Sequence, residues 1–109
     1  MLFHGIGSAR EMADRRGLSI AEVHYLDEKQ AVGEALRYYF DEKGKIVYEV
    51  PGIGLEMNDL DRITTVAAVA GGSSKARAIE AVLANGKETV LISDEGAARR
   101  ILQITERKV

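Results

Sequence analysis

The stretch TVAAVAGGSSKARAIEAVLANGKETVLISDEGAARRIL, Thr65 to Leu102, decides the fold. Thr65 to Ala70 is a short, nearly all-apolar run, the composition of a strand buried on both faces. Gly71-Gly72-Ser73-Ser74 breaks it, and Ala76, Ile79, Val82 and Leu83 then recur at the spacing of one helical face. Asn85-Gly86 stops that helix, since either residue accepts the left-handed backbone of a C-terminal cap. Thr89 to Ser93 repeats the apolar strand. Asp94 is an N-cap for a second helix whose inward face is predicted to carry Ala97, Ala98, Ile101 and Leu102.

The start of the chain follows the same rhythm. Leu2 to Ile6 reads as a strand, Gly7-Ser8 as its turn, and a helix follows with Ala9, Met12 and Ala13 inward, ending near Gly17. Three strand-turn-helix units predict an α/β fold, a partial Rossmann-like parallel sheet. Between them, Leu36 to Phe40 and Ile46 to Val50 flank Asp41-Glu42-Lys43-Gly44 and alternate in polarity. This pattern predicts an inserted β-hairpin whose buried faces carry Leu36, Tyr38, Phe40, Ile46, Tyr48 and Val50. Pro51-Gly52 closes the hairpin, and one helical turn is expected within Asn58 to Ile63. Because a three-stranded parallel sheet leaves faces uncovered, the chain is expected to be the back half of a larger domain or to pack against a partner subunit.

Composition narrows the functional classes. The chain has 109 residues, 46% of them hydrophobic, enough for one domain with a modest core. It has no cysteine, so disulfides and thiolate metal sites are excluded, and its two histidines, His4 and His24, are far apart in sequence. No apolar run approaches the roughly 20 residues that span a bilayer, and no signal peptide is legible; a cytoplasmic, non-membrane protein is expected. A net charge of −2 gives no overall positive excess with which to displace counterions from nucleic acid.

Few chemical motifs survive inspection. Gly5-Ile6-Gly7 and Gly52-Ile53-Gly54 would need a third glycine where Arg10 and Met57 stand, so neither is a dinucleotide loop. Gly71-Gly72-Ser73-Ser74-Lys75 lacks nucleoside-triphosphatase spacing, and two readings of it stay open. It is either a generic anion site, with backbone N–H groups, a helix N-terminus and the Lys75 ammonium, or a tight turn with a solvated lysine. No serine has a nucleophile elbow or a recognisable histidine relation. His4 is expected to be a satisfied core residue, and Arg15-Arg16 suits the C-terminal end of a helix dipole. Glu34 is either a solvated carboxylate or an acceptor for a ligand hydroxyl.

Three blocks, AVGEALRYYFDEKGKIVYEVPGIGLEMNDL (Ala31 to Leu60), VAAVAGGSSKARAIEAVLANG (Val66 to Gly86) and VLISDEGAARRIL (Val90 to Leu102), resemble in order the effector domain of SorC-family transcriptional regulators. The resemblance runs over essentially the whole chain. It implies that residues 1–109 are the C-terminal part of a sugar-phosphate effector domain, similar in fold to glucosamine-6-phosphate deaminase and ribose-5-phosphate isomerase. A DNA-binding domain and the first half of the effector domain would lie in a longer protein. The resemblance further implies a phosphorylated sugar such as fructose-1,6-bisphosphate as effector, no cofactor, and homo-oligomer contacts through which the effector weakens the hold on operator DNA. By the same resemblance, Arg15 would meet a phosphate, Glu34 the sugar, and Lys75 would place charge near the ligand. Gly5, Gly7, Gly71 and Gly72 would admit backbone close to it. The expected protein is not an enzyme. The competing readings are an aldose-ketose isomerase or deaminase of the same fold, which would need a base over the sugar carbon, and an oligomerisation fragment with no working ligand site.

Overall fold

The computed structural model describes residues 1–107, so Lys108 and Val109 of the expected domain lie outside the described residues. Two sheets share one helix between them. The parallel sheet has the order β1 (Leu2–Gly5), β6 (Val66–Val69), β7 (Val90–Ile92). The antiparallel sheet runs in chain order through β2 (Gly7–Ser8), β3 (Ala31–Ala35), β4 (Tyr38–Asp41) and β5 (Ile46–Glu49). Helices α1 (Ala9–Arg16) and α2 (Ile20–Glu28) pack on the antiparallel sheet, whereas α3 (Ala76–Ala84) and α4 (Glu95–Arg107) follow the strands of the parallel one.

Helix α3 joins the two sheets. Ala78, Ile79, Ala81 and Val82 are buried together with Val66 and Ala68 of β6 and with Ala35, Tyr38 and Phe40 of the antiparallel sheet. The approach is close enough to dictate residue size: a Cβ at Gly33 would lie 2.9 Å from the Ala78 carbonyl oxygen. A second core forms where Ala9, Ala13 and Leu26 of α1 and α2 cover Tyr39. Successive strand residues point to opposite faces, so Phe40 serves one core and Tyr39 the other.

The parallel units form as expected, with Asn85 capping α3 and the Asp94 carboxylate accepting from the Ala97 N–H at 2.8 Å. The single turn is a 3-10 helix over Met57–Arg62. Four expectations are corrected. Gly7-Ser8 is not only a turn: it is a short strand paired with Gly33 and Glu34, which ties the first unit to the other sheet. The hairpin does not stand alone: β2 and β3 extend it to a four-stranded sheet with helices on both sides; Tyr38 and Phe40 share one core with Leu36 and Ile46, while Tyr48 and Val50 join Tyr39 in the other. Leu36 belongs to the β3–β4 turn, not to a strand, with Leu36 and Arg37 at φ 53° and 75°. Ala98 and Leu102 lie on α4 but are exposed, Leu102 by 61%, and so do not face inward.

One face of the parallel sheet is open. Phe3, Val69, Val90 and Ile92 are exposed on it, with Ala67 buried among them. Among the described residues, no helix is long and apolar enough to cross a membrane.

Candidate functional site

Where β1 ends, the chain passes from one sheet to the other through Gly5-Ile6-Gly7, and a cleft of about 400 Å³ opens there. Its walls bring together residues from five parts of the chain: Gly5 and Gly7 from the crossover, Arg15 and Arg16 from the end of α1, Glu34 from β3, Leu36 from the next turn, and Lys75 from the start of α3. Strand ends and helix termini meet here, which is where α/β sheets commonly place ligands.

Glu34 is the site's innermost charge. It is only 3% exposed, and its Oε2 accepts from Arg16 Nε at 3.0 Å while Oε1 accepts from the Arg37 backbone N–H at 3.4 Å. Burying a carboxylate without partners would cost several kcal/mol; here the guanidinium and the amide supply the partners. Arg16 is thereby spoken for, but Arg15 is not. Among the described residues, neither Arg15 nor Lys75 has an ion-pair partner, although both line the cleft. Two unpaired cations above a buried carboxylate form a surface suited to a ligand with an anionic end and a hydroxylated body.

Of the residues predicted from sequence, the structure gathers Arg15, Glu34, Lys75, Gly5 and Gly7 in one cleft. Gly7 is held without a side chain by Met12, whose Cγ would lie 2.5 Å from a Cβ there. Gly71 and Gly72 do not line this cleft. Gly71 borders an adjoining depression, and the Gly72 N–H donates to Asp94 Oδ2 at 2.8 Å. Sequence reasoning did not single out Arg16 or Leu36 for the site. The former was indistinguishable from Arg15 by position, and the latter lies in a turn that carries no glycine or asparagine signal.

His4 also borders the cleft, but its ring is engaged in the interior. Its Nε2 lies 3.2 Å from Glu88 Oε1 and both side chains are almost fully buried. The close contact with Glu88 raises the imidazole pKa above its usual value, overcoming the opposing effect of burial; the Gly5 carbonyl and the negative charge of Glu34 add to the rise. The expectation of a satisfied core histidine holds in part: Nδ1 is hydrogen-bonded to the Gly5 carbonyl at 3.0 Å, while among the described residues the buried Nε2 has the ion-pair contact to Glu88 without hydrogen-bond geometry.

Comparison with known proteins fits this architecture. The family model described as "Putative sugar-binding domain" matches residues 1–103, and the chain belongs to that family. More particularly, it is 47% identical over 103 residues to the central glycolytic genes regulator of Bacillus subtilis, covering 94% of this chain and 30% of the relative. A structure described as a SorC family transcriptional regulator from Enterococcus faecalis superimposes with a TM-score of 0.87 at 50% identity, covering 92% of this chain and 41% of that one. Another, described as the sugar-binding domain of a transcriptional repressor from Vibrio fischeri, gives a TM-score of 0.82 at 29% identity, covering 95% and 44%. The chain therefore spans less than half the length of these relatives.

Proposed function

We propose that this chain is part of the effector-sensing domain of a bacterial transcriptional regulator and that its cleft binds a phosphorylated sugar. Arg15 and Lys75 hold the phosphate, and Glu34, fixed by Arg16, accepts from a sugar hydroxyl. The observation that carries this reading is the convergence of two unpaired cations on a buried, oriented carboxylate. Family membership supports the sugar, and the unpaired cations support its phosphate. Fructose-1,6-bisphosphate is the candidate effector because the chain resembles a regulator of glycolytic genes. The ion pairs that occupy His4 and Glu34 favour binding over acid-base chemistry, since a general base needs a free lone pair aimed at substrate.

In the full-length protein, operator DNA is bound by a separate part, and the exposed apolar strand face carrying Phe3, Val69 and Ile92 is covered by the remainder of the domain or by a second subunit. Titration calorimetry of the full-length protein with fructose-1,6-bisphosphate and with unphosphorylated fructose tests the reading. Saturable binding of the phosphate ester alone is expected. Equal binding of both, or of neither, overturns it.

A further inference from the structure

Past Val69 and Lys75, which line both, the cleft continues into a shallow depression of about 390 Å³ at the ends of β6 and β7, bordered by Gly71, Ser93 and Asp94. A glycine turn between two helix starts ordinarily attracts an anion. Here that capacity is already taken by the protein's own carboxylate. Asp94 Oδ2 accepts from the Gly72 N–H at 2.8 Å and Oδ1 from the Ala97 N–H at 2.8 Å. The carboxylate is also seated on Gly71, where a Cβ would lie 2.5 Å from Oδ2. The hydrogen bonds from Ala97 and then Gly72 hold the carboxyl below the usual carboxylate range, so it stays ionised at neutral pH.

We infer that Asp94 is a specificity-determining residue, which keeps phosphate out of the β6–β7 limb of the cleft and leaves that limb to an uncharged, hydroxylated part of the ligand. This rests on the reading of the cleft as a sugar-phosphate site. A phosphate entering the limb would meet a fixed negative charge at contact distance and would find the Gly72 N–H occupied. A sugar hydroxyl instead finds an acceptor in Asp94, whose exposed oxygens have lone pairs to spare. Lys75 stands where the two limbs join, so its ammonium is reached by phosphate from the β1 side, beside Arg15. The limbs differ in sign, and the ligand is oriented by the difference.

The same carboxylate ties down the turn that leads to Lys75, whose N–H bonds to the Gly72 carbonyl at 3.0 Å. A test must therefore separate exclusion from positioning. Asp94→Asn removes the charge, while asparagine remains a good N-cap for α4; Asp94→Ser is a second variant that also keeps a capping oxygen. In the full-length protein, the Kd values for fructose 6-phosphate and fructose 1,6-bisphosphate are measured for wild type and both variants. Exclusion predicts that both substitutions strengthen bisphosphate relative to monophosphate binding by about five- to tenfold, as expected when like charge is removed from a contact. An unchanged ratio, including the case in which both ligands weaken equally, overturns the inference and leaves Asp94 only the positioning of the turn. If wild type binds neither ester, the sugar-phosphate reading itself has failed, and the inference falls with it.

Discussion

The antiparallel sheet has two buried faces with different chemistry. Toward α3 it presents Gly33, Ala35, Tyr38 and Phe40 to an apolar core, and the hydroxyl of Tyr38 is satisfied by accepting from the Met57 N–H at 3.0 Å. Toward α1 it presents Glu34 and, directly across the ladder, Tyr39, whose fully buried hydroxyl has no hydrogen-bond partner among the described residues. Burial raises the phenol pKa of Tyr39 to about 12, with the negative charge of Glu34 contributing in the same direction. One face maximises packing. The other accepts polar cost beside a cleft, the pattern expected where a fold gives up stability for a site.

Substitutions on the two faces sharpen this contrast. Phe40→Ala on the packed face should have the largest effect on stability, about 3–5 kcal/mol, because an essentially fully buried aromatic leaves a cavity. Chemical denaturation measures it. Glu34→Ala on the cleft face should cost roughly 1–3 kcal/mol by leaving Arg16 and the Arg37 N–H without their acceptor, and it should abolish hydroxyl recognition as well. Glu34→Gln retains an acceptor and should cost less on both counts. A Glu34→Ala variant as stable as wild type would show that the buried pair carries no structural weight.

A pH series probes the same side of the molecule. The folded-state pKa of His4 is raised above the unfolded value, so its pairing with Glu88 contributes stability that is fully present below about pH 6.5. That contribution is lost as pH rises through the folded pKa. Melting temperature should therefore fall on going from pH 6 to pH 8, and His4→Gln should flatten this dependence. The smallest effect is expected for Tyr39→Phe: deleting a hydroxyl with no partner should change stability by under about 1 kcal/mol, in the stabilising direction. A clear loss of stability would mean that the hydroxyl has a partner in solution.

The two faces were also unequally legible in the sequence. The strand-turn-helix units were readable because each boundary has its own physical marker: the apolar run of Val66 to Val69, the Asn85-Gly86 stop, and the Asp94 cap. Strand β3 was not. Its sequence AVGEA has small residues and a charge where a half-buried strand would alternate, because Gly33 must admit α3 and Glu34 is buried for its charge rather than despite it. The tight turn at Leu36-Arg37 defied turn chemistry, since positive φ normally selects glycine or asparagine. Its cost is offset by Arg37, which donates from its guanidinium to the Val50 and Leu55 carbonyls at 2.7 and 3.3 Å. Helix α2 did leave a signal, the Ser19 and Glu22 capping box. For the cleft, spacing could not choose between ligand and structural roles for Glu34 or Lys75; resemblance to a known family gathered those positions, and only the fold shows that Arg16, not Arg15, is bound to Glu34.

That division of labour between neighbouring arginines leads to the most direct test. Arg15 is exposed and Lys75 half-buried, and neither has an ion-pair partner among the described residues, so replacing either by alanine should change folding stability by no more than about 0.5–1 kcal/mol. On the proposed reading, each substitution removes a charge-assisted hydrogen bond to phosphate worth about 1.5–3 kcal/mol, which is on the order of ten- to a hundredfold in affinity. Calorimetric titration of full-length Arg15→Ala and Lys75→Ala with fructose-1,6-bisphosphate, alongside thermal melts of the same samples, reads both quantities. The account predicts near-native melting with strongly weakened binding. Wild-type affinity in both variants would contradict it and leave the glycine turn and its lysine as structure alone.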